Sequence, residues 1–248
     1  NYVNPTFVQK LEFSTTPSAG EEYPNLYLHP GFIRRYYSTP TISIGTGKYI
    51  VLWALPDQTN LNIWYMFPTS VAENNLQFDC SVFVDSTLAS VSYTLPTAYI
   101  FTVDANGIEA MSSTGPALRM YNSSTPQKKT FDSNFTQLVP HYISDSFTVP
   151  TTTNGVISSA LSTPTNPIFL LPKTAFAFAN QRTASGVNYT DYQVFDIGFR
   201  RIGSTVYTGA TCTAYESELG SYLPGSSTFY AGTSSNLSII VANADFYQ

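Results

Sequence analysis

Trp53 and Trp64 are the residues whose chemistry is easiest to picture. Flat indole faces among many tyrosines, beside Asn and Asp, make a surface on which a sugar ring can stack, so this pair is a candidate glycan platform. Both lie inside apolar runs, where packing into a core is the favoured role. Other reactive types are sparse. The chain has two histidines: His29 in a Pro-flanked stretch, and His141 directly after Pro140. Neither sits in a nucleophile context, and there is no G-x-S-x-G. Asp79, Asp85, Asp104, Asp132, Asp191 and Asp196 would be the pool for a glycosidase carboxylate pair, but they are scattered along the chain, as the carboxylates of any β protein are. Cys80 and Cys212 are too few for a disulfide framework or a zinc site. Two buried thiols is the simpler reading, with one long-range disulfide as the alternative. No calcium loop, glycine-rich phosphate cradle or paired Cys/His ligand set occurs. The expectation is a protein with no catalytic residue, no metal and no cofactor.

Composition narrows the class further. Charged residues make up only 11% of the 248 residues, against roughly a quarter in ordinary soluble proteins. Ser and Thr fill the gap, giving a polar but uncharged surface suited to an assembly or to life outside the cell. Aromatics reach 15%, with 18 Tyr and 17 Phe, a composition that fits strands and packed interfaces. The net charge is −5, and the cations Arg34-Arg35, Lys128-Lys129 and Arg200-Arg201 are isolated pairs. Nucleic-acid binding needs clustered cations and is not expected. The longest apolar run, Tyr49 to Leu55, is strand-sized and far below the ~18 residues of a membrane span, so no membrane insertion is expected. No signal peptide is visible at the start.

The elements that would position these residues read as strands. Residues 1–40 form an extended N-terminal arm with one short strand, Phe7 to Phe13. Within it, Tyr23 to Tyr37 sets aromatics against arginines, the combination enriched at protein interfaces; Tyr23, Tyr27, Phe32, Arg34, Arg35, Tyr36 and Tyr37 are the candidate interface residues. Thr41 to Ile44 is a short strand. Lys48 to Leu55 is nearly all apolar, which predicts a strand covered on both faces. Leu76 to Val84 alternates, with Leu76, Phe78, Cys80, Val82 and Val84 on one side, and this places Cys80 in the core. Val91 to Leu95 is a further strand. Tyr99 to Val103 and Ile108 to Met111 flank Asp104-Ala-Asn-Gly107, a hairpin cue. Later strands are expected at Leu138–Ile143, Ser146–Val149, Ile168–Leu171, Asp191–Phe195, Ile197–Ile202, Ser204–Thr208, Thr211–Tyr215 and Leu237–Ala242. No stretch keeps helical periodicity over 11 residues or more. The fold class is all-β, an antiparallel β-sandwich or pair of sandwiches. Residues 41–135 and 136–248 form either two lobes or one continuous β domain.

Gly115 to Ser133 is the stretch with the clearest local logic. Ala117 to Tyr121 suits a strand, Asn122-Ser-Ser-Thr-Pro126 is turn chemistry, and Thr130-Phe-Asp132 starts the return strand. Gly115-Pro-Ala-Leu-Arg-Met-Tyr-Asn-Ser-Ser, followed by Lys129-Thr-Phe-Asp-Ser133, resembles a pattern in minor structural proteins of tailed bacteriophages, those of the tail tip, baseplate or fibre region. Gly115, Tyr121, Asn122, Phe131, Asp132 and Ser133 carry the resemblance. Thr125-Pro126 stands where that pattern usually has a turn glycine.

The resemblance implies a structural virion protein located in the tail. Its partners would be copies of itself and other virion proteins, and it would act in assembly and host attachment. It implies no active site. Two other readings stay open on composition: a receptor- or glycan-binding β-sandwich module, and a capsid or head-decoration protein of jelly-roll type.

Overall fold

In the computed structural model the described residues are 3–17, 19–23, 32–41, 47–58, 63–67, 71–73, 77–85, 92–148, 157–160, 163–171, 175–219, 228–230 and 236–248. They form two large antiparallel sheets and one small one. The first large sheet runs β1 (Thr6–Glu12), β8 (Thr97–Thr102), β4 (Lys48–Ala54), β13 (Pro167–Leu170), β18 (Asn236–Asn243) and β11 (Pro140–Thr148), with β6 (Val71–Glu73) also on β4. The second runs β12 (Ile157–Ala160), β16 (Thr205–Leu219), β15 (Val187–Ile202), β5 (Ile63–Met66), β7 (Asp79–Asp85), β3 (Phe32–Ser38) and β2 (Ala19–Tyr23). There β14 (Ala175–Ala184) pairs with β15 and with β17 (Thr228–Tyr230). A separate hairpin is made of β9 (Arg119–Tyr121) and β10 (Lys129–Asp132).

The two large sheets pack together as an all-β sandwich. Period-two alternation drives this, because every second side chain can face the partner sheet. Phe78, Cys80, Val82 and Val84 lie in the shared core with Val51, Trp53, Tyr65, Phe199 and Val241. The apolar run 48–55 is covered on both faces: Val51 and Trp53 point between the sheets, while Leu52 joins a second core with Tyr99, Phe101, Ile168, Ala242 and Tyr247. That second core is closed by chain rather than by a sheet. Residues 136–138 run beside β1, with the Phe7 amide donating to the Thr136 carbonyl and the Leu138 amide to that of Pro5. The 3-10 turn Ala244–Phe246 delivers Tyr247, whose ring meets Phe101 at 4.9 Å and whose hydroxyl accepts from the Val139 amide at 2.9 Å. Burying side chains of this size contributes about 1.5–3 kcal/mol each.

The segment 1–40 supplies strands to both sheets: β1 to the first, and β2 and β3 to the edge of the second. Residues 41–135 and 136–248 also share both sheets. Trp53 of β4 pairs with Phe169 of β13 in one, and Tyr65 of β5 with Phe199 of β15 in the other.

Several boundaries differ from the sequence reading, for physical reasons. Ile108 to Met111 is not a strand. Ala105–Ala110 is a short helix, α1, whose N-cap Asp104 accepts from the Gly107 amide at 2.9 Å. Gly107 serves close approach rather than a turn, since a Cβ there would fall 1.8 Å from Thr102 Oγ1. Residues 92–95 are irregular, not a strand. The expected pairs 191–195/197–202 and 204–208/211–215 are two long strands, β15 and β16, which register against each other from Tyr189↔Leu219 to Ile202↔Thr205. Likewise 138–143 and 146–149 merge into β11, whose pairing with β18 absorbs two register shifts. Residues 42–46 of the expected Thr41–Ile44 strand and its turn lie outside the described residues.

On the face of the second sheet turned away from the shared core, Trp64 packs with Met66 and Phe83. Its ring lies against a glycine pair, Gly198↔Gly209, that leaves the sheet surface bare. A Cβ on Gly209 would sit 2.7 Å from Trp64 Cη2 and Cζ2. Gly209→Ala is therefore expected to lower stability by about 1–3 kcal/mol through overpacking, read as a drop in thermal midpoint with loss of near-ultraviolet tryptophan dichroism.

Candidate functional site

The hairpin is built around Asp132, which is 1% exposed. Its Oδ2 accepts from Ser113 Oγ at 2.7 Å, Arg119 Nε at 3.1 Å and Lys129 Nζ at 3.2 Å, and its Oδ1 from the Asn134 amide at 3.1 Å. Burial pushes this carboxyl up, but the four hydrogen bonds outweigh burial and hold it well below the usual carboxylate range. Ser133 clamps the strand ends: its Oγ accepts from the Leu118 amide and its own amide donates to the Leu118 carbonyl, each at 3.0 Å. Asn122 Oδ1 closes the loop by accepting from the Ser124 amide at 3.3 Å and the Lys128 amide at 2.9 Å. Gly115 takes φ +90°, and its carbonyl accepts from Arg119 Nη2 at 3.4 Å. Phe131 is half-buried and Tyr121 exposed. The side chains of Asn122, Asp132 and Ser133 thus hold backbone in place.

The candidate interface residues are drawn into the second sheet. Arg34 donates from Nε to Ser81 Oγ at 3.2 Å and lies over the rings of Tyr36 and Phe83 at 4.6 and 5.2 Å. Tyr37 is buried in the shared core. Arg35 donates from Nη1 to the Tyr93 hydroxyl at 3.3 Å, and that hydroxyl also bonds Tyr37. Only the backbone of Tyr23 and Phe32 is described, and Tyr27 lies outside the described residues.

The two tryptophans are not together. Trp53 is 0% exposed, so no sugar can reach it, which corrects the glycan-platform expectation there. It is the middle ring of a stack, 4.2 Å from Phe67 and 5.7 Å from Phe13, each at 17°. Trp64 carries the Arg200 guanidinium 4.1 Å over its ring. Arg200 is itself buried, its Nε and Nη1 have no hydrogen-bond partner among the described residues, and burial lowers its pKa. Cys80 is a free, buried thiol whose pKa burial pushes up, and the side chain of Cys212 lies outside what is described. His141 is exposed and His29 lies outside the described residues.

The aromatic stack ends at a cleft. Phe13, its last ring, lines a cavity of about 630 Å³ between the end of β1, the Arg35 and Tyr37 positions of β3, and residues 92–97. The 92–97 segment is anchored from beneath: the Tyr65 hydroxyl donates to the Thr94 carbonyl at 2.6 Å and accepts from Gln58 Nε2 at 2.7 Å.

No family model, curated protein or solved structure matches this chain.

Among the described residues, no cluster of His, Cys, Asp or Glu is placed to hold a metal. The cleft is the feature that sequence reasoning missed. Phe13 and Leu11 have the i, i+2 spacing of a core-facing strand end, but nothing local links them to Tyr93, which the sequence sets in an expected strand.

Proposed function

We propose that this chain is a structural virion protein of a tailed bacteriophage, a component of the tail tip, baseplate or fibre region that works through contacts with its own copies and with neighbouring virion proteins. The observation that carries the reading is the Gly115–Ser133 hairpin. Its resemblance to tail proteins rests on residues that do structural work, with Asp132 and Ser133 fixing the strand ends and Asn122 the loop. The surface near it supports the reading. Leu118, Met120 and Tyr121 on the hairpin, and Val139, Tyr142 and Ile143 where the chain enters β11, are large apolar side chains left exposed, with Leu118 at 67%. Large apolar side chains left exposed on one short hairpin suit a surface that other protein covers.

Two measurements test the reading. Sedimentation at rising concentration is expected to show self-association, and Leu118→Glu with Met120→Glu to weaken it at least tenfold while leaving the melting temperature within about 2 °C, since isolated surface changes cost under about 0.5 kcal/mol. Labelled chain in whole particles is expected at the tail. Label at a head vertex would favour the capsid reading, and a chain that stays monomeric and never co-purifies with particles would remove both.

A further inference from the structure

We propose that the cleft above Phe13 is a binding site for an uncharged saccharide of one or two sugar units. This inference takes only its setting from the reading above; the argument is the chemistry of the cleft.

The first element is a rigid apolar wall. Phe13 is the outermost ring of the Phe67–Trp53–Phe13 stack, and the two rings behind it are buried. A ring held in this way loses no further freedom when a ligand packs on it. Phe13 is 8% exposed, so it gives the cleft a small apolar floor rather than a stacking face, and the C–H groups of a pyranose can rest on it.

The second element is the rest of the lining, which is rich in hydroxyls. Thr15, Ser92, Thr94 and Thr97 all border the cavity, and their hydroxyls make no hydrogen bond to another described residue. Each hydroxyl both donates and accepts. A polyol has the same dual character, whereas an ion presents one polarity only. The segment carrying three of these hydroxyls is pinned by Tyr65 and Gln58, so the site is largely preformed.

The third element is charge. The cleft is bordered by one cation, Arg35, and one carboxylate, Glu12. Arg35 is bonded to Tyr93, and Glu12 to Lys10 Nζ at 3.3 Å. The two lining charges are opposite in sign and sum to zero, which favours a neutral ligand over an anion or a cation. The volume, about 630 Å³, falls within the ~300–1,000 Å³ typical of small-ligand sites.

The test is saturation-transfer NMR on the full chain. The probes are the methyl glycosides of glucose, galactose and N-acetylglucosamine, and lactose, with methyl glucuronide, sialyllactose and tetraglycine as competing chemistries. At least one neutral sugar is expected to show transfer. Ser92→Trp and Thr15→Trp, both at exposed positions on the cleft wall, are expected to weaken it at least about tenfold; either variant suffices if its melting curve shows it folded. Transfer to none of the neutral sugars, stronger binding of the acidic sugars or the peptide, or binding untouched by a folded blocking variant would each overturn the proposal. Incorporation of Ser92→Trp into particles is measured beside it. A chain that enters particles but binds no saccharide defeats the cleft proposal and leaves the assembly reading standing, and the opposite pattern does the reverse.

Discussion

Trp53→Ala is expected to lower the unfolding free energy by about 3–5 kcal/mol, the cost of deleting a large buried aromatic and leaving a cavity. Trp53 is fully buried, centred in a three-ring stack with Phe13 and Phe67, and meets Phe78 edge-on at 6.4 Å. Its backbone also pairs across the join between β4 and β13, so a void there loosens both neighbours. Trp53→Phe is expected to cost less, about 1–2 kcal/mol, because the indole Nε1 has no hydrogen-bond partner among the described residues and its removal relieves a buried unpaired donor. Urea unfolding followed by far-ultraviolet circular dichroism measures both. A surface platform would behave in the opposite way: Trp53→Ala would leave the midpoint unmoved and change binding alone.

Much of the fold is legible because it is local. The 78–84 alternation and the apolar run 48–55 each state how many faces are covered, and both faces of β4 are indeed packed. The hairpin is legible for the same reason, since its strands and turn lie within one short stretch. Misreadings arise where a local cue competes with a distant contact. Asn106-Gly107 reads as a turn, yet the glycine is set by Thr102 and the helix by the Asp104 cap. Gly209 looks like a break between two strands, yet pairing with β15 carries β16 straight through, and the missing side chain makes room for Trp64. Trp53 reads as core because the run 48–55 predicts cover on both faces, and its full burial agrees. The cleft is the extreme case. Its lining comes from positions 12–15, 35–37 and 92–97, and only the antiparallel pairing of β1 with β8, together with the seating of Tyr93 on Arg35 and Tyr37, brings them together.

Asp132→Asn is expected to open the hairpin without unfolding the sandwich. The substitution keeps the shape but removes the charge that Arg119 and Lys129 share. Lys129 is nearly buried and Arg119 about one-third exposed, so one cation is stranded and the other partly reaches water. That places the local cost near about 3 kcal/mol, the lower end for breaking a buried pair. Amide hydrogen exchange reads it directly. The amides of Leu118, Asn122 and Ser133, bonded within the hairpin, are expected to exchange on the order of a hundredfold faster, while those of β4 and β8 stay protected. Acid is expected to mimic the substitution. The folded carboxyl is held below its ordinary value, so its stabilisation is complete above the unfolded pKa near ~4 and is lost as pH falls from there toward the depressed folded value. Hairpin protection, corrected for the intrinsic exchange rate, is therefore expected to decline below about pH 4 in the native chain and to stay flat over the same range in Asp132→Asn. Equal protection in the two proteins at neutral pH would mean that the hydrogen bonds of Ser133 and Asn122 hold the hairpin unaided, and that its buried aspartate is not what fixes its shape.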